Sequence, residues 1–159
     1  MNTPTLDWQW SAFAHLSGAD VYAVLALRQE VFVVEQACIF SDIDWHDQSS
    51  FHLLGWRRDG AHAVLAAYLR CLPPGEKFAQ YSIGRVVTSP AVRGTGVGRL
   101  LVAEGLRRAE ALYPGQPVRI SAQLHLAQFY GSFGFKAVSA PYEEDRIMHV
   151  DMLRPGLPA

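Results

Sequence analysis

The chain's shortages exclude more than its abundances suggest. None of its apolar runs approaches the 18 or more residues that cross a bilayer. The opening MNTPTLDWQW has neither the basic start nor the apolar core of a secretory leader. Cysteine is scarce: Cys38 and Cys71 are flanked by apolar residues and lack C-x-x-C spacing, so they read as buried free thiols. The formal net charge is only −1, without the basic excess of a nucleic-acid binder. No nucleic-acid or membrane partner is expected, and the compartment that fits is the cytoplasm.

No repeat, low-complexity tract or long linker divides the chain, so residues 1–159 read as one domain. Half of the residues are apolar and 18% are charged, the balance of a folded globular protein. A chain of this length buries about 70% of its unfolded surface.

Trp8-Gln9-Trp10 alternates like a short first strand. Asp20 is a candidate cap for a helix to about Gln36, with Val24, Leu27, Val31 and Val34 on a buried stripe. Residues 38–50 are polar, with Asp42, Asp44 and Asp47, and read as loop. Strands are expected over 51–57 and 61–71, joined at Asp59-Gly60. A third strand should span about 81–88, and a long helix about 96–113 with Val97, Leu101, Gly105, Ala109 and Leu112 inward. A strand over 118–122, a short helix over 126–133 and strands near 135–139 and 146–152 complete the pattern. This order is mixed α/β, not a strictly alternating doubly wound sheet.

Between the third strand and the long helix lies VVTSPAVRGTGVGRLL. It has no lysine, so it is not a P-loop, and Arg99 stands where a dinucleotide fingerprint needs its third glycine. What remains is a run of small residues exposing N–H groups at a helix N-terminus, suited to a pyrophosphate without any metal. The alternative is a tight turn with no ligand.

Arg93-x-x-Gly96-x-Gly98 resembles the [RQ]-x-x-G-x-[GA] acetyl-CoA signature of the GNAT N-acetyltransferases, and FYGSFGF (residues 129–135) resembles that family's F-Y-x-x-x-G-F landmark. LRQEVFVVEQ, DIDWHD, SAQLHLAQFYGSFGF and YEEDRIMHVDM are similar to its ElaA-like branch, over nearly the whole chain. The resemblance implies a GNAT fold: a mixed, mostly antiparallel sheet with a central splayed parallel strand pair, flanked by helices. It implies acetyl-CoA in the splay, with Val86, Val87 and Thr88 gripping the pantetheine arm. Arg93, Gly94, Thr95, Gly96, Val97, Gly98 and Arg99 would take the pyrophosphate. Gln123 stands where many members carry an asparagine, and Gln128 of the same stretch joins the cofactor set. A homodimer is left open.

Acetyl transfer to an amine needs a neutral nucleophile, a polarised carbonyl and a stabilised leaving thiolate. By its place in the motif, Tyr130 is the implied acid for the thiolate; the alternative is a core aromatic. A backbone N–H at a strand bulge, that of Val87, is the expected carbonyl donor. Neutralising a lysine-like amine at pH 7 costs about 4.6 kcal/mol, whereas an α-amine costs about 1.4 kcal/mol. Glu35 and His149 lead the candidate bases, ahead of Asp44, His52, His125, Glu143 and Glu144. In the bland alternative, Glu35 merely pairs with Arg28 and the aspartates form a solvated loop. As a functional loop, the aspartates with Glu143-Glu144-Asp145 would attract a cationic amine. Acyl transfer from another donor, as in acyl-homoserine lactone synthases, and a non-catalytic acyl-CoA sensor are the alternative functions.

Overall fold

A computed structural model describes residues 2–158. Strand β1 (Asp7–Ala12) is followed by helix α1 (Gly18–Arg28). Ser17, not Asp20, caps α1: its Oγ accepts from the Asp20 N–H (3.0 Å), while the Asp20 carboxylate accepts from the Ser17 N–H (3.0 Å). This reciprocal box satisfies two otherwise orphaned donors.

The helix continues past Arg28, but Gln29–Glu35 is π-helical. The wider turn takes up more residues than an α-turn and rotates the later side chains out of the original stripe. Val24, Leu27 and Val31 are buried as expected, whereas Val34 is thrown out to 67% exposure.

Strands β2 (Phe51–Asp59) and β3 (His62–Leu72) form the expected hairpin, although its turn is Gly60-Ala61 rather than Asp59-Gly60. Next come β4 (Ser82–Thr88), α2 (Val97–Leu112), β5 (Val118–Gln123), α3 (Ala127–Gly131), β6 (Lys136–Ala137), β7 (Tyr142–Glu144) and β8 (Ile147–Arg154). Sequence periodicity does not reveal β7, which is only three residues long.

Two sheets result, ordered β1-β2-β3-β4 and β5-β8-β6, with β7 also paired to β8. Among the described residues, every ladder is antiparallel. The sheets meet at one parallel bridge, Tyr81 to Val118, where the Arg119 N–H donates to the Tyr81 carbonyl (3.1 Å). Beyond it β4 and β5 part, leaving the splayed parallel pair of the expected fold.

Helix α2 packs on one face through Val97, Leu101, Val102, Leu106 and Ala109. Gly105 permits close approach: a Cβ there would lie 2.4 Å from Leu69 Cδ2. Leu112, expected inward, is 37% exposed in the last turn. On the opposite face, Val24, Leu27 and Val31 pack against Leu54, Leu65, Tyr68 and Val87. The sheets are thus supported on both faces, with their splayed edges facing each other.

Candidate active site between the splayed strands

A cleft of about 950 Å³ fills the gap between β4 and β5. One wall is the edge of β4. There the Ser89 N–H donates to the Ala66 carbonyl (2.8 Å), and Val87 stands opposite Tyr68 in the same register. Hydrogen-bonded pairs recur at every second residue of an antiparallel ladder, so Val87 directs both backbone groups to β3. The expected role of the Val87 N–H as carbonyl donor is therefore corrected. Facing the cleft edge instead are the Val86 carbonyl and the N–H and carbonyl of Thr88, groups that need a partner.

From β4 the chain turns through Pro90–Val92 and Arg93 to Gly96, whose φ of 87° is left-handed and which caps α2. The first amides of α2 to bond, those of Arg99 and Leu100, both use the Gly96 carbonyl. The Val97 and Gly98 amides lie ahead of that first bond, at the positive end of the helix dipole. Arg93 lines the cleft; Gly94 to Arg99 continue from it outside the lining. The Arg99 guanidinium is occupied elsewhere, donating to Ser132 Oγ (2.9 Å) over the Phe133 ring.

The opposite wall comes from β5, β8 and α3. Tyr130 is buried edge-on against Phe129 and Phe135 and lines the cleft; burial alone pushes its hydroxyl up to about 12. It therefore remains protonated at neutral pH. Gln123 also lines the cleft, and its Nε2 donates to Gln36 Oε1 (3.4 Å) at the end of the π-helical segment. Gln128, expected with the cofactor set, is exposed on α3 and is not part of the lining. Two positions before Tyr130 on this short helix, its amide faces away from the cavity that Tyr130 lines.

Among the candidate bases, His149 lines the cleft beside Gln123. Its Nδ1 is 2.8 Å from the Ile147 carbonyl, which only accepts. The proton of a neutral ring is thus held on Nδ1, leaving Nε2 bare. Glu35 also lines the cleft, but its partner is Arg93 rather than Arg28, through contacts of 2.6 and 3.1 Å. His52 is sealed off, with Nε2 on the Asp47 carbonyl (2.8 Å) and Nδ1 on the Tyr68 hydroxyl (2.7 Å). Burial lowers the pKa of this ring. His125 and Glu144 lie on the cleft wall.

The aspartates of the loop are not left to solvent. Asp42 and Asp47 are both 8% exposed and belong to a lattice with Arg28, Arg70 and Arg85. Arg28 holds Asp42 and Asp47 at 2.8 Å each, while Arg70 grips Asp44 with two contacts of 2.7 Å. Burial opposes charge on Asp44, yet the hydrogen bonds and charge of Arg70, with help from Arg85, hold its pKa well below the usual carboxylate range. These negative charges are neutralised internally, so they do not form the free acidic lure for a cation. Nothing in the sequence pairs Asp42 with Arg28 or Arg85, which lie 14 and 43 residues away.

Comparison with known proteins agrees with the fold. The family model described as an acetyltransferase (GNAT) domain matches residues 30–154. ElaA of Escherichia coli is 42% identical over 156 residues, 97% of this chain and 99% of its own; its crystal structure superposes with a TM-score of 0.86 at 41% identity, over 94% of this chain and 99% of that one. The crystal structure of an acyl-CoA N-acyltransferase from Pseudomonas aeruginosa is 46% identical, with a TM-score of 0.88 over 94% of this chain and 99% of that one. With the splayed strands, the motif at Arg93 to Gly98 and these relatives in agreement, the chain belongs to the GNAT acetyltransferase family, in its ElaA-like branch.

Proposed function

We propose that this protein, acting as one domain in the cytoplasm, transfers the acetyl group of acetyl-CoA directly to a primary amine of a small molecule or peptide, both substrates being bound together. The observation that carries this reading is the unpaired edge of β4, continuous through Arg93 with the amides at the start of α2. An extended pantetheine arm would add to that edge as a strand, through the Val86 carbonyl and the Thr88 backbone. The pyrophosphate would meet the amides from Gly94 to Gly98, where the helix dipole favours an anion. Arg93 would turn from Glu35 towards it.

In the transfer, the amine nitrogen bonds to the thioester carbon as the carbon–sulfur bond breaks. Tyr130 donates its phenolic proton to the departing sulfur, from a hydroxyl on the cleft wall that is still protonated when the sulfur leaves. His149 takes the amine proton on Nε2, its other nitrogen being anchored on Ile147. Glu35 is a second acceptor once the pyrophosphate competes for Arg93.

An acetyl-CoA consumption screen over polyamines, amino acids, aminoglycosides and N-terminal peptides tests the proposal. Release of CoA with at least one amine class, and its loss in Tyr130→Phe, are expected. Undiminished acetylation by Tyr130→Phe would remove Tyr130 as the acid. Acetyl-CoA binding with no turnover of any amine would favour a sensor module.

A further inference from the structure

Strand β4 carries an irregularity directly before its cleft-facing groups. Opposite β3 the register runs from Val87 against Tyr68 to Gly84 against Arg70, so three steps on β4 match two on β3. The extra residue falls at Arg85-Val86, and Arg85 has a φ of 49°. A non-glycine residue rarely takes that conformation, and it persists only where the surroundings over-determine it.

Here they do. Arg85 Nη2 donates to Asp44 Oδ2 (3.2 Å), while Nε lies 2.8 Å from Asp42 Oδ1 without the alignment of a hydrogen bond. Nη2 also donates to the Asp42 carbonyl (3.1 Å), and the guanidinium sits over the Phe40 ring. Neither carboxylate depends on Arg85 for neutralisation, because Arg28 holds Asp42 and Arg70 holds Asp44. Arg85 is a third arginine tied to aspartates that are already paired, and it reaches them from the one strained residue of the strand.

Resting on the acyl-CoA reading above, we propose that Arg85 is a positioning residue. Clamped by Asp42 and Asp44, it holds the β4 bulge left-handed and so turns the Val86 N–H towards the thioester carbonyl of bound acyl-CoA. The acidic loop then acts on the donor through the backbone of β4, without touching it.

Two substitutions separate backbone from side chain, because glycine takes a positive φ without the steric cost that alanine meets. Arg85→Ala removes the clamp and keeps the strain; Arg85→Gly removes both. Neither leaves a buried aspartate unpaired. No acceptor is needed to read the effect: calorimetry compares acetyl-CoA with S-ethyl-CoA, which lacks the carbonyl oxygen. NMR follows the Val86 amide in the ligand-free protein.

The wild type should prefer acetyl-CoA by about fivefold, the worth of one net hydrogen bond. Arg85→Ala should abolish that preference and shift the Val86 resonance, and Arg85→Gly should rescue most of both. Equal behaviour of the two variants, or a wild type that binds both ligands alike, would overturn the inference. A wild type that binds neither would overturn the acyl-CoA reading and this inference with it.

Discussion

The two halves of the cleft are built from opposite materials. The side proposed to hold the acyl donor uses backbone: the edge of β4 and, just beyond the cleft, the amides at Gly96 to Gly98, with one neutral phenol from Tyr130. Beside it lies the lattice of Arg28, Arg70 and Arg85 with Asp42, Asp44 and Asp47, of which Arg70, Arg85 and Asp44 reach the cleft wall. Backbone groups cost nothing to orient once the sheet has formed and are indifferent to pH. Buried charges must compensate one another, because desolvating an ion without a partner is costly. The first design suits a constant ligand and the second holds a loop in one place. Losses on the donor side should therefore appear in binding or rate, and losses of the pairs that anchor the loop, Arg28 with Asp42 and Asp47, in stability.

Arg28→Ala should break this contrast hardest. It removes the fully buried partner of both Asp42 and Asp47, and by analogy with broken buried pairs it should cost about 3–5 kcal/mol. Urea denaturation measures it; a loss within the range of a surface substitution would mean that the lattice does not hold the loop. Tyr130→Phe should do the reverse, leaving unfolding and acetyl-CoA affinity unchanged while kcat falls about 100-fold or more. Steady-state kinetics with an amine from the screen, alongside calorimetry, separate these effects.

Acid should also divide the halves. The pKa of Asp44 and Asp47 is lowered in the folded protein, their arginine partners outweighing the burial that opposes charge. Their stabilisation is therefore fully present above the unfolded value of about 3.9 and is lost as pH falls through the folded values. Thermal melts should fall steeply below about pH 4, and Asp44→Asn should flatten that fall. The smallest effect is expected at Glu35–Arg93, where both side chains are about two-fifths exposed. Glu35→Gln should alter unfolding free energy by less than about 1 kcal/mol, seen as a near-constant melting temperature.

The same contrast explains what is legible in the sequence. Val86 to Arg99 is one contiguous stretch whose chemistry is local, so its order along the chain already describes a strand edge, a turn and a helix start. Tyr130 sits in an equally compact motif. The aspartate loop cannot be read this way, because its partners lie on α1, β3 and β4 and meet only in the folded molecule. Val34 departs from its expected stripe because a π-helical turn leaves no mark in apolar spacing. Glu35 has Arg28 as a near neighbour in sequence, whereas Arg93 reaches it across the cleft. The Val87 N–H faces away from its expected target because the side of a strand an amide faces depends on the register with β3. A bulge at Arg85 is invisible until that register is known.

Titration calorimetry with acetyl-CoA on the wild type and on Gly96→Asp is the decisive measurement. Saturable binding at one site per chain is expected, lost in Gly96→Asp, which places a carboxylate at the proposed pyrophosphate position. Absence of saturable binding to the folded wild type would contradict the acyl-CoA reading.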